Sequence, residues 1–170
     1  MNVKRILLPV VFTVSIVSLW SLVGCSKHSS SSTTTDGTMT ATVNGGTYNA
    51  VSYVVAGYLS AYGQLIVQGD SIRGTDTTEI QVAMPYIPTV NVPITTDSSQ
   101  YVGLSYKMPG KEYDAYFDLT NSHGSITLSG EDTVNHRVAG TFSGVLYNIV
   151  NSNDSLVIIN GAFSSTYSVQ

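Results

Sequence analysis

The residues from Lys111 to Asp118 (Lys-Glu-Tyr-Asp-Ala-Tyr-Phe-Asp) form the most charged stretch of the chain. Alternate residues of a β-strand point to opposite faces. Laid out that way, Glu112, Asp114, Tyr116 and Asp118 share one face, and Tyr113, Ala115, Phe117 and Leu119 share the other. Same-face neighbours on a strand lie roughly 7 Å apart, within the roughly 5 to 10 Å that glycoside hydrolysis asks of its two carboxyl groups. An oxygen-rich row also suits calcium. The plainer expectation is a solvated face whose charges discourage edge-to-edge pairing, so Glu112, Asp114 and Asp118 are taken as ligand-contact candidates with no catalytic role. Asp70, Asp76 and Glu79 are read the same way, because their spacing fits no calcium loop.

Tyrosine is the second outlier, with 11 residues against 4 phenylalanines. Its apolar ring and polar tip suit contacts with sugars or peptides as well as half-buried sheet positions. Tyr48, Tyr53, Tyr58 and Tyr62 lie close in sequence. Of these, Tyr53, Tyr58 and Tyr62, within the glycine-containing segment from Val51 to Gly63, are the ligand-binding candidates.

No other motif offers chemistry. The chain has no Gly-x-Ser-x-Gly elbow, phosphate loop, His-Glu-x-x-His or Cys-x-x-Cys,, so no catalytic residue and no cofactor is assigned. His123 and His136 stand at opposite ends of one expected strand, about 20 Å or more apart, too far to share a metal, and His28 lies in a separate segment. The formal charge is −4, and −6 once Lys4 and Arg5 are set aside. Nucleic acid, which needs a basic patch, is excluded as an expected partner.

Cys25 is the only cysteine. It follows a basic start (Lys4, Arg5) and an apolar segment, Ile6 to Val23, that ends in Leu22-Val23-Gly24-Cys25. This is the pattern of a secretory signal with a lipid-attachment cysteine. Residues 1–24 are therefore expected to be a lipoprotein signal, and Cys25 the membrane anchor. Residues 25–37 follow as a Ser/Thr-rich tether with a reach of about 20 Å. With Cys25 acylated, disulfides and thiolate metal sites are excluded together. Ser26, rather than an aspartate, follows the cysteine, which favours the outer membrane. Ser26-Lys27-His28-Ser29 carries no acidic export cluster, which leaves periplasmic and surface orientations both open.

The elements that must position these side chains are read from residue 38 onward. Apolar residues recur there with period two: Met39, Ala41 and Val43; Ile80, Val82 and Met84; and Val138, Gly140, Phe142, Gly144 and Leu146. Leu156 to Ile159 is apolar throughout, the pattern of a strand covered on both faces. Asn44-Gly45-Gly46 supplies a tight hairpin. Further turns are expected at Gly69-Asp70, Arg73 to Asp76, Pro109-Gly110, Asn121 to Gly124, Gly130 to Asn135 and Asn151 to Asp154. Pro85, Pro88 and Pro93 bracket a segment unable to be a central strand. The expectation for 38–170 is a single antiparallel β-sandwich or β-barrel of about eight or nine strands.

The order Met-Thr-Ala-Thr-Val-Asn-Gly-Gly-Thr-Tyr-Asn-Ala (39–50), Gly-Ser-Ile-Thr-Leu-Ser (124–129), Asn-His-Arg-Val-Ala-Gly-Thr-Phe-Ser-Gly (135–144) and Val-Ile-Ile-Asn-Gly-Ala-Phe (157–163) resembles a family of small uncharacterised lipoproteins of Gram-negative bacteria. The similarity runs from Met39 to Phe163. Tyr48 stands where a tryptophan is common, and the segment from Tyr53 to Tyr62 is an insertion. The resemblance implies an all-β domain in the envelope, with no known activity.

The resulting expectation is a lipid-tethered, non-catalytic binding or structural module with a possible glycan or peptide ligand. A lipocalin-like carrier of a small apolar ligand is the alternative, with Gly140 and Gly144 hinting at interior room. A glycan-active hydrolase on Glu112, Asp114 and Asp118 comes behind both.

Overall fold

A computed structural model describes residues 37–51, 54–86, 90–96, 102–115 and 122–169. Cys25, the segment before it, the tether through Asp36, Tyr53 and Asp118 lie outside the described residues. The described chain is all-β. Its strands are β1 (Thr38–Val43), β2 (Gly46–Val51), β3 (Val54–Leu59), β4 (Gln64–Arg73), β5 (Asp76–Pro85), β6 (Pro93–Thr95), β7 (Gly103–Met108), β8 (Lys111–Asp114), β9 (His123–Asp132), β10 (Arg137–Asn148) and β11 (Ser155–Val169).

Eleven strands replace the expected eight or nine. Part of the excess comes from compact punctuation. Met108 pairs with Lys111 across Pro109-Gly110, where Gly110 takes φ 74°, so a two-residue turn separates β7 from β8. Pro93 opens a three-residue edge strand against β9, a place where a missing N–H costs no ladder bond. The Asn44-Gly45 turn forms as expected, with φ of 46° and 80°, the double positive φ of a type I′ hairpin.

The strand order is β2-β1-β11-β3-β4-β5-β7-β8-β10-β9-β6, and β10 also pairs with β11. That extra pairing closes a ring of seven strands, β11-β3-β4-β5-β7-β8-β10, from which β1–β2 and β9–β6 extend as flaps. One layer therefore holds β2, β1, β11, β10, β9 and β6, and the other holds β3, β4, β5, β7 and β8. The stitches between layers are short. Three residues join β11 to β3 in parallel, Tyr167↔Ala56 to Val169↔Tyr58, and two join β10 to β8. The architecture is a sandwich sewn into a barrel at both corners.

The core lies between the layers and follows the period-two pattern. Met39, Leu65, Ile80, Met84, Leu104 and Ile126 are fully buried, and Phe142 stacks with Phe163, ring centres 6.3 Å apart. Gly140 and Gly144 do not open space. A Cβ on Gly140 would lie 2.6 Å from the Phe163 ring, and one on Gly144 would lie 3.1 Å from Leu104.

Two expectations are corrected. Gly69-Asp70 is not a turn but the middle of β4, whose register with β5 is continuous from Gln64↔Pro85 to Arg73↔Asp76. Gly69 is needed there because a Cβ would meet Met39 Cβ at 2.9 Å and Ala50 Cβ at 3.1 Å. Leu156 to Ile159 is not covered on both faces. Leu156 and Ile158 point inward, while Val157 and Ile159 are 44% and 47% exposed. β-Branched residues suit the open face of an antiparallel sheet whether covered or not. One extra residue of β11 just beyond this run, at Asn160 with φ 53°, shifts the register against both β1 and β10, as a β-bulge does.

Candidate functional site at the tyrosine-lined end

The inward alternation of β3 and β11 brings Tyr58 and Tyr167 to one end of the ring, and Tyr86 joins them just past β5. Tyr58 and Tyr86 stack with ring centres 3.7 Å apart and planes 20° from parallel. The Tyr167 ring stands edge-on to Tyr86 at 6.3 Å, and His136 packs edge-on to Tyr167 at 5.2 Å. Tyr58 and Tyr86 are half-buried, Tyr167 is 4% exposed and His136 is exposed.

Backbone bonds hold this end. The Tyr86 N–H donates to Gly63 O at 2.7 Å, and the Tyr167 N–H donates to His136 O at 2.7 Å. The first ties Tyr86 to the β3–β4 turn, where Tyr62 stands 66% exposed. The second docks the turn between β9 and β10 on the end of β11. That turn is built by Asp132, whose Oδ1 accepts the N–H groups of Val134 and Asn135.

Polar groups gather among the aromatic rings. The Tyr86 and Tyr167 hydroxyl oxygens are 3.5 Å apart, and the Glu131 carboxylate lies near enough to Tyr167 to act on its phenol electrostatically. Burial first, then Tyr86 and Glu131, push the Tyr167 phenol far above its usual range, so it stays a protonated donor. Glu131 Oε1 is buried with no hydrogen-bond partner. An unpaired buried acceptor is costly and marks where a donor would be received.

The tyrosines of the other end are structural. Tyr48, Tyr106 and Tyr113 form a buried chain with ring centres 6.4 and 6.3 Å apart. The Tyr113 hydroxyl donates to Asp154 Oδ2 at 3.0 Å, and Lys111 Nζ reaches the same oxygen at 2.8 Å. These contacts clasp the β7–β8 hairpin to the β10–β11 turn.

The carboxylate candidates separate. Glu112 is a half-exposed residue paired with Lys107 at 3.4 Å, a surface pairing of small energetic weight. Asp114, expected beside it on a solvated face, is instead only 6% exposed. As the last residue of β8 it lies between Ser105 of β7 and Tyr147 of β10, so neighbouring strands enclose it. Asp70 and Glu79 are direct cross-strand partners, and Gln68 Nε2 donates to both, at 3.3 and 3.1 Å. Among the described residues no group of three His, Cys, Asp or Glu side chains is placed to hold a metal ion.

Of the tyrosine candidates, Tyr58 and Tyr62 belong to the same end. Tyr86, Tyr167 and Glu131 were not singled out by sequence reasoning, and His136 was weighed only as a metal ligand. The four come from three separate stretches, around Tyr86, around the β9–β10 turn with Glu131 and His136, and around Tyr167, and no local spacing links the three. Protein-family models, curated proteins and solved structures provide no match to this chain.

Proposed function

We propose that this chain is a lipid-tethered, non-catalytic binding module of the bacterial cell envelope, anchored at Cys25, that takes a glycan at its tyrosine-lined end. The carrying observation is the half-buried Tyr58–Tyr86 stack, with Tyr167 edge-on to Tyr86 and the buried, unpartnered Glu131 Oε1 at the same end. Flat rings offer stacking area, and phenol and carboxylate oxygens offer partners for sugar hydroxyls. The anchoring part rests on the Leu-Val-Gly-Cys ending of the apolar segment and on the resemblance to Gram-negative lipoproteins, with the outer membrane favoured by Ser26. Interior packing by Met39, Leu65, Ile80 and Leu104 favours a surface-binding module over a carrier with an internal ligand.

A glycan and peptide panel on the full chain in detergent tests this. A glycan is expected to bind and to weaken at least about fivefold on Tyr62→Ser, by the loss of roughly 1 to 3 kcal/mol of ring stacking of the kind seen with other planar ligands. Tyr62 is exposed, so this change leaves the fold intact. Native-strength binding in both Tyr62→Ser and Tyr86→Leu overturns the site, and peptide binding without glycan binding overturns the ligand class.

A further inference from the structure

Building on the glycan-binding reading, we propose that the sugar carries a free amino group, and that Glu131 Oε1 receives its ammonium among the rings of Tyr86, Tyr167 and His136. Glu131 Oε1 is buried without a hydrogen-bond donor, and its carboxylate lies within electrostatic reach of the Tyr167 phenol. A neutral hydroxyl would satisfy that oxygen once. An ammonium supplies both the hydrogen bond and the opposite charge, and charge-assisted bonds are the stronger kind. The surroundings favour a cation as well, since tyrosine faces attract one through their quadrupoles. The chain's net charge of −4 draws cations toward it.

The oxygen is buried, so a ligand must displace a neighbour to reach it. His136 is exposed, sits in the turn between β9 and β10, and touches Tyr167 edge-on, which makes it the side chain able to swing aside. The hydroxyls of Tyr86 and Tyr167 then lie beside the ammonium site as partners for the hydroxyls of the same sugar ring. The site thus selects a polyhydroxylated ring bearing a primary amine over its N-acetylated form, in which the nitrogen is an uncharged amide.

Calorimetric titration of the full chain in detergent with a glucosamine tetramer, its fully N-acetylated counterpart and tetralysine separates the outcomes. The expected result is tightest binding of the glucosamine tetramer, with the N-acetylated form at least about tenfold weaker. Glu131→Gln should remove that preference. Equal binding of the two tetramers, or a preference that survives Glu131→Gln, overturns the amine while leaving the glycan site standing. Stronger binding of tetralysine than of either sugar overturns the amino-sugar assignment. No binding here while other glycans of the panel bind overturns the amine alone, and no glycan binding at all overturns both readings. Should Glu131→Gln fail to fold, the contrast between the two tetramers on the native chain still decides.

Discussion

The hydroxyl of Tyr48, on β2, donates to the carbonyl of Gly69, on β4, tying the hairpin of one layer to a strand of the other. The same oxygen accepts from the Ile80 N–H of β5 at 3.2 Å. Burial holds this phenol well above its ordinary range, so it remains a donor at neutral pH. The missing side chain of Gly69 leaves room for Met39 and Ala50 where the layers meet.

Tyr48→Phe keeps the ring and removes the bridge from two buried backbone groups. It should lower stability by about 1 to 3 kcal/mol, read as a shift in the urea unfolding midpoint. An unmoved midpoint would show that the bridge carries no stability.

Gly140→Ala and Gly130→Ala form a matched pair. A Cβ at Gly140 would lie 2.6 Å from Phe163 and 2.6 Å from the Thr127 carbonyl, while the space at Gly130 is open. Overpacking of this kind costs about 1 to 3 kcal/mol, and a substitution into open surface stays within about 0.5 kcal/mol. Thermal unfolding of the two variants side by side checks the contrast.

Glu79 sets a pH dependence. Burial raises its carboxyl above the usual range, Lys107 at 4.0 Å pulls it back, and Asp70 and Glu112 raise it further. The folded chain therefore keeps the Glu79 proton in a window where the unfolded chain has released it. That contribution is fully present below the ordinary carboxyl value and is lost as pH rises through the raised one. Glu79→Gln is neutral throughout, so its melting temperature relative to native should climb as pH rises above the ordinary carboxyl value. A constant difference would remove Glu79 as the source.

Cys25→Ala should abolish incorporation of labelled fatty acid and release the protein from the membrane fraction or stall it with residues 1–24 attached. Labelling that persists in the variant would exclude Cys25 as the anchor.

The all-β class was legible because burial on one face of a strand imposes period two, and Met39/Ala41, Ile80/Val82/Met84 and Val138/Gly140/Phe142 carry that signature openly. The Asn44-Gly45 turn was legible because it needs positive φ at two successive positions. Gly69 was not, since a glycine that admits another layer and a glycine that turns the chain are the same letter. Asp114 misled for a related reason: alternation says which way a side chain points but not whether a neighbouring strand encloses it. A third of the candidate site was visible, as Tyr58 and Tyr62 lie near each other in sequence. Tyr86, Tyr167, Glu131 and His136 join them only through the parallel contact of β11 with β3 and the docking of the β9–β10 turn, both long-range pairings with no local trace.

β11 borders β10 along nearly its whole length, β1 along its middle and β3 at its end. It is also the last of the described strands in chain order, so the ring has no closed form until it is in place. Until then β1, β3 and β10 present bare ladder edges, the kind that pair with the wrong chain. Partners more than a hundred residues apart must find each other before the core is sealed, which places this fold among the slow, high-contact-order class. Its most vulnerable moment is therefore the interval between synthesis of β10 and docking of β11, when a chaperone would have most to protect.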